Sequence, residues 1–152
     1  MQKYSNFLRT RICGIASLDN KILLINHKGI VENESFWSFP GGGLAYGEDT
    51  KDALRREFKE ECSLTISVGD FMFVNQHLQK PLHAIELYFE VKIESGKLTK
   101  GIDPEHKIQI IEEVKWMSFD EINLIAPKNK HAILNLCDSQ KSLWALKGNF
   151  LS

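Results

Sequence analysis

The sequence predicts a mixed α/β or α+β domain, and three observations carry that prediction. From Asp49 to Cys62 there is no Gly or Pro, and most residues are good helix formers, so one substantial helix is expected. From Ile85 to Ile93 the pattern alternates strictly, with Ile85, Leu87, Phe89, Val91 and Ile93 on one face and Glu86, Tyr88, Glu90 and Lys92 on the other, which is the period of a strand. Strand-like segments bracket helices on a chain of 152 residues, long enough for one domain with a sizeable core and too short for two. The expectation is a single domain over residues 1–152.

In chain order, Phe7 to Leu18 reads as a strand, Asp19-Asn20 as a turn and Lys21 to His27 as the returning strand of a hairpin. Ile22-Leu23-Leu24-Ile25 is apolar without alternation, as in a strand covered on both faces. Lys28 to Ser35 reads as a polar loop. Trp37 and Phe39 alternate with Ser38 in a short strand that ends at Pro40. After the helix, a strand region reaches about Gln79 with a bend near Gly69-Asp70, and Lys80-Pro81-Leu82 turns the chain into the alternating strand. Glu94 to Lys107 is a polar loop, and Ile108 to Met117 another strand. Ser118-Phe119-Asp120-Glu121 has capping-box spacing and opens a short helix. Pro127 suits the first turn of a last helix reaching about Leu136. The tail from Ser142 has no single reading.

The helix sorts its residues by face. Asp49 or Thr50 is the expected N-cap. At roughly 100° per residue, Leu54, Phe58 and Cys62 form an apolar stripe, Arg55 and Lys59 lie on the solvent side, and Glu57, Glu60 and Glu61 cluster beside the apolar stripe. Glu57 and Glu61 are like charges one turn apart, which repel unless a cation intervenes. Carboxylates without Cys or His suit a hard ion such as Mg²⁺ or Mn²⁺. A solvated acidic face, with Arg56 and Glu60 as an ordinary pair, is the plain alternative for these six residues alone.

The longer spacing goes further. Gly42 is followed by five residues and Glu48, then by seven residues and Arg56-Glu57-Phe58-Lys59-Glu60-Glu61, then by Cys62-Ser63-Leu64. This resembles the Nudix box, G-x5-E-x7-R-E-U-x-E-E-x-G-U with U apolar, at every specified position except one: Ser63 stands where the family has glycine. The resemblance covers Gly42 to Leu64 and extends upstream through Phe36-Trp37-Ser38-Phe39-Pro40-Gly41-Gly42-Gly43. It implies a Nudix-type α/β/α sandwich with a mixed, curved sheet. It also implies a Mg²⁺- or Mn²⁺-dependent hydrolase of phosphoanhydride bonds, acting on a nucleoside diphosphate joined to another group. By that resemblance Glu57, Glu60 and Glu61 bind metal together with the carbonyl of Gly41, and Arg56 orients the glutamates. Glu48 helps at one metal or holds the loop. The general base is Glu57, Glu60 or another box glutamate, or an acid on a later loop: Asp103, Glu105, Glu112 or Glu113. Family members usually end the helix at that glycine in a left-handed conformation, which costs a serine on the order of 1 kcal/mol.

Substrate choice lies outside the box. Arg9 and Arg11 share a face of the first strand, where they are either solvated or reach substrate phosphate. Trp37 is either a core residue or a stacking platform for a base. Pro81 stands 17 residues after Leu64, about where ADP-ribose-cleaving members tend to carry a proline, although a turn explains it as well. The short one-domain members that cleave nucleoside triphosphates are an equal match. A catalytically silent Nudix-fold sensor is the alternative from another class; such proteins usually lose box glutamates, which this chain keeps. An isomerase of the superfamily would need further ligands such as clustered histidines, which the sequence lacks.

Composition narrows the partners. A formal net charge of −1 argues against a sequence-independent grip on nucleic-acid polymer but is compatible with a small nucleotide whose charge a metal offsets. Cys13, Cys62 and Cys137 are far apart and lack metal-type spacing, as reduced thiols of a cytoplasmic protein do. No apolar run approaches ~18 residues, so no membrane partner is expected. A homodimer is left open.

Overall fold

The computed structural model describes residues 5–31, 34–101 and 110–152. Among these residues, eight strands and four helices follow the order β1 Leu8–Leu18, β2 Lys21–Val31, β3 Glu34–Ser38, β4 Gly41–Gly43, α1 Thr50–Cys62, β5 Thr65–Gln79, β6 Leu82–Ser95, β7 Ile110–Ser118, α2 Phe119–Asn123, α3 Ala132–Leu136, α4 Gln140–Trp144 and β8 Phe150–Leu151. Asp19 and Asn20 both take positive φ, 50° and 63°, the requirement of a two-residue hairpin turn. The hairpin is short: only Ser17↔Ile22 and Leu18↔Lys21 pair. Beyond it the two strands part. β1 runs between antiparallel β4 and parallel β6, followed by β5 and β8. β2 takes β3 and β7 as antiparallel neighbours. The result is one mixed, divided sheet with an apolar layer on each face.

Each layer is a helix-on-sheet core. On one face, Leu54, Phe58 and Cys62 of α1 are fully buried against Ile12, Ala16, Leu23, Ile25 and Ile66. On the other, Phe119 and Ile122 of α2, Ile133 and Leu134 of α3 and Leu143 of α4 cover Cys13, Ile15, Leu24, Phe73 and Tyr88. Tyr88 stacks on Phe73 with ring centroids 4.7 Å apart and meets Phe39 edge-on. This is the expected α/β/α sandwich. Among the described residues, no helix is long and apolar enough to cross a membrane. The cysteines are unpaired and buried, and burial pushes the Cys13 thiol up to about 12 and the Cys137 thiol up to about 11.

Several expectations need correction. The stretch expected as a polar loop, Lys28 to Ser35, carries the end of β2 and the start of β3, because register shifts between His27 and Val31 let polar residues continue the ladder. The single helix expected from Pro127 is two pieces, a 3-10 turn Pro127–Asn129 and then α3, whose N-cap is the His131 side chain. The tail resolves into α4, capped by Ser139, and β8, which pairs with β5. The alternation of β6 does not divide core from solvent. Both faces of the sheet are covered, so Glu86 and Tyr88 on its polar side are buried. The bend in β5 falls where expected, as a register shift between Val68 and Phe71. The expected loop acids Asp103 and Glu105 lie outside the described residues.

Candidate active site

The site starts from an edge strand that has no side chains. β4 is Gly41-Gly42-Gly43, paired with Cys13, Ile12 and Arg11 of β1. A Cβ on Gly42 would lie 2.4 to 2.7 Å from the carboxylate atoms of Glu57, so the missing side chain leaves room for that carboxylate against the backbone. A Cβ on Gly41 would strike the backbone of Ile12 and Cys13, and its φ of +156° is one that side chains rarely adopt. The Gly41 N–H donates to Glu61 Oε1 at 2.9 Å. The glycine strand thus seats the carboxylates of two residues one helical turn apart.

The helix that carries them begins and ends under local control. Asp49 caps α1, its carboxylate accepting from the N–H groups of Lys51 and Asp52. At the other end Ser63 takes the left-handed conformation, φ 61° and ψ 29°, and its N–H donates to the Lys59 carbonyl. Serine therefore ends the helix in a conformation that glycine adopts without a Cβ penalty. Between the caps, Glu57 and Glu61 are buried at 3% and 2% exposure, Glu60 is half-buried, and Arg55 and Lys59 face solvent.

Arg56 is the hub of the carboxylate face. It forks onto Glu48, Nε donating to Oε2 at 2.8 Å and Nη2 to Oε1 at 3.1 Å, while Nη1 donates to Glu57 Oε1 at 3.0 Å and Glu60 Oε2 at 3.2 Å. Three carboxylates share this guanidinium. The Arg56 hydrogen bonds hold Glu48 below the usual carboxylate range, and those to Glu48 raise Arg56 in turn. Glu48 also accepts from the Ala45 N–H at 3.3 Å, so it closes the Leu44–Glu48 loop onto the helix.

His27 was not singled out in the sequence. It is buried on β2, and its Nε2 lies 4.0 Å from Glu61 Oε2. Nothing in the local pattern distinguishes it from any histidine at a strand end.

The remaining candidates spread around this face. Arg9 lines a groove of about 670 Å³ with Phe7, Thr10, Tyr46 and Glu48. Arg11 is half-buried and paired: it donates to Glu86 Oε2 at 2.7 Å. Trp37 is half-buried against the core beneath α3, and its carbonyl accepts from the His131 N–H. Glu112 lies 3.5 Å from Lys28, and Glu113 is exposed.

The ligand set suits a hard cation: the clustered acidic side chains present oxygens, on the buried Glu57 and Glu61 and the half-buried Glu60. Among the described residues no three His, Cys, Asp or Glu side chains are already gathered in ligand geometry. Oxygens of Glu57 and Glu60 rest on Arg56, and one of Glu61 rests on the Gly41 N–H. Because these contacts leave further lone pairs on each carboxylate, they are compatible with a bound ion.

Comparison with known proteins identifies the family. Residues 8–136 match the NUDIX domain. The ADP-ribose pyrophosphatase of Methanocaldococcus jannaschii is 30% identical over 130 residues, 82% of this chain and 76% of that protein. The CTP pyrophosphohydrolase of Escherichia coli is 31% identical over 65 residues, 43% of this chain and 48% of that protein. Among solved structures, a NUDIX hydrolase from Nitrosomonas europaea superposes with a TM-score of 0.77 at 18% identity, over 93% of this chain and 91% of that one. The chain belongs to the Nudix hydrolase family.

Proposed function

We propose that the chain is a divalent-cation-dependent pyrophosphohydrolase. Its substrate is a nucleoside diphosphate joined to a further group, either a sugar, as in ADP-ribose, or another phosphate, as in a nucleoside triphosphate. The observation that carries this reading is the pair of buried carboxylates, Glu57 and Glu61, seated on a glycine strand with Glu60 and Arg56 beside them. Burying carboxylates is costly unless a partner offsets their charge. Glu57, Glu60 and Glu61 with the Gly41 carbonyl are the proposed holders of Mg²⁺ or Mn²⁺. A bound cation there would offset phosphate charge and lower the pKa of the attacking water.

The protein's own part is positional. Arg56 holds Glu57 and Glu60 at a fixed spacing, and Glu48 ties the loop before the helix to the same guanidinium. Proton removal from the attacking water falls to a carboxylate, with Glu57 and Glu60 as the box candidates. The groove beside Glu48 and Arg9 is the proposed seat for the non-phosphate part of the substrate. The ADP-ribose and CTP activities of the two relatives set the first substrates to try.

The test is a panel of nucleoside diphosphate sugars and nucleoside triphosphates, assayed for phosphate and pyrophosphate release with Mg²⁺, with Mn²⁺ and in excess EDTA. Turnover of at least one class with cation and none in EDTA is expected. Full turnover in EDTA would overturn the metal mechanism. Binding without any turnover would favour the silent sensor.

A further inference from the structure

The face of the sheet opposite α1 carries a charged network that the box chemistry does not use. Gly43, Arg11, Glu86 and Asn75 occupy one rung, in register across β4, β1, β6 and β5. Side chains on a rung project to the same face, and here they touch. Glu86 Oε2 accepts from Arg11 Nη1 at 2.7 Å, and Glu86 Oε1 accepts from Asn75 Nδ2 at 2.9 Å. His131, the N-cap of α3, approaches Oε1 at 2.8 Å through Nε2. Its other nitrogen, Nδ1, accepts from the Ile133 N–H at 3.0 Å, so Nε2 carries the proton and donates. The Tyr88 hydroxyl completes the set at 3.4 Å. Glu86 is saturated and buried, whereas Arg11 is not saturated. Its side chain is 25% exposed, and its guanidinium N–H groups other than the one on Glu86 meet no acceptor among the described residues.

We propose that Arg11 is an anion subsite for a substrate phosphate oxygen and that Glu86 is its positioning residue, with Asn75 and His131 fixing Glu86. The neighbour of Arg11 on the rung, Gly43, belongs to the side-chain-free edge strand whose Gly41 holds Glu61. No side chain of β4 therefore separates the carboxylates that reach it from α1 from the guanidinium on the other face. The backbone position that holds Glu61, Gly41, and the one that faces Arg11, Gly43, are two residues or ~7 Å apart along the strand. A buried carboxylate that takes one N–H of an arginine and leaves the rest to solvent sets the direction of a planar fork, which suits a phosphate.

The inference rests on the proposed activity only for the identity of the anion, and its test is separable. Inorganic pyrophosphate is titrated by calorimetry into the metal-free protein in EDTA. Wild type should bind, and Glu86→Gln should bind about tenfold more weakly, the worth of one charge-assisted hydrogen bond. The substituted amide keeps an oxygen for Asn75 and His131 but turns an N–H toward Arg11, so thermal melting is first used to establish that the variant is folded at the titration temperature. In an Arg11→Gln background Glu86→Gln should change nothing, because Glu86 acts through Arg11; a purely structural effect would persist there. With substrate and cation, Glu86→Gln should raise KM and leave kcat nearly unchanged. Arg11→Lys keeps the charge without the fork and should also weaken binding about tenfold. Unchanged or tighter binding in Glu86→Gln would show a carboxylate that only balances charge, and would overturn the proposal. So would wild-type affinity in Arg11→Lys, or no binding by wild type. Pyrophosphate binding with no nucleotide turnover would sink the proposed activity and leave the subsite standing.

Discussion

Glu61 and Asp52 share a helix and a charge but little else. Asp52 is exposed and meets Arg55 at 2.7 Å on the solvent side, a pair of the kind that contributes little. Glu61 is buried, bonded to the Gly41 N–H and near His27. Asp52→Asn should leave both melting and turnover unchanged. Glu61→Gln keeps an oxygen for the Gly41 N–H and relieves repulsion with Glu57. It should therefore melt in EDTA within about 1 kcal/mol of wild type, while turnover with Mg²⁺ falls on the order of a hundredfold or more. Paired melting and turnover measurements check this. A Glu61→Gln protein that melts far below wild type would mean that the charge holds the fold, and one that turns over like Asp52→Asn would move the metal off this face.

The glycine strand and the helix end give predictions that belong to elements. Gly42 and Gly41 are adjacent but should fail differently when replaced by alanine. At Gly42 the new Cβ meets the far end of the Glu57 side chain, which can swing away. Gly42→Ala should therefore lose at least about tenfold in turnover, as a displaced metal-site group does, with melting near wild type. At Gly41 the Cβ meets backbone and the φ is unfavourable, so Gly41→Ala should lose about 1–3 kcal/mol of stability. Denaturant titration beside turnover distinguishes the two, and a stable, active Gly41→Ala would contradict the described close approach. At the other end of α1, Ser63 sits at φ 61°. Ser63→Gly should gain up to ~1 kcal/mol, read as a raised denaturation midpoint, since glycine carries no penalty there. A lower midpoint would mean that the serine side chain offsets its own strain.

For the molecule as a whole, acid stability should depend on Glu86. Burial by itself would raise its pKa, but the His131 imidazole, the Arg11 guanidinium and the Asn75 amide outweigh that and hold it well below the usual carboxylate range. A carboxyl lowered in the folded state contributes stability that is complete above its unfolded pKa of ~4.3 and is lost as pH falls toward the folded value. Wild-type melting temperature should therefore fall steadily from about pH 5 downward, and Glu86→Gln should show a shallower acid limb. Parallel limbs would mean that Glu86 does not titrate with unfolding. The network matters at this scale because it ties β1, β5 and β6 to the start of α3, joining the sheet to the helical layer opposite α1.

Local pattern alone determined the helix from its caps to its apolar stripe, the hairpin turn at Asp19-Asn20, the capping box at Ser118, and the carboxylate face, whose family came from its resemblance to a known motif. These rest on contacts a few residues apart, where spacing along the chain is spacing in space. What the sequence left open depended on distant partners. The alternation of β6 records only that two faces differ, and the second layer, α2 to α4, decided that the face with Glu86 and Tyr88 is buried as well. The partner of Arg11, Glu86, lies 75 residues away and came from the parallel pairing of β1 with β6. His27 gained its place from β2 passing the end of α1, and His131 from a helix that breaks after Asn129. Periodicity fixes which residues share a face. Which strand lies beside which is set by burying both faces of one sheet, and that choice brought the second charged cluster to the edge of the glycine strand.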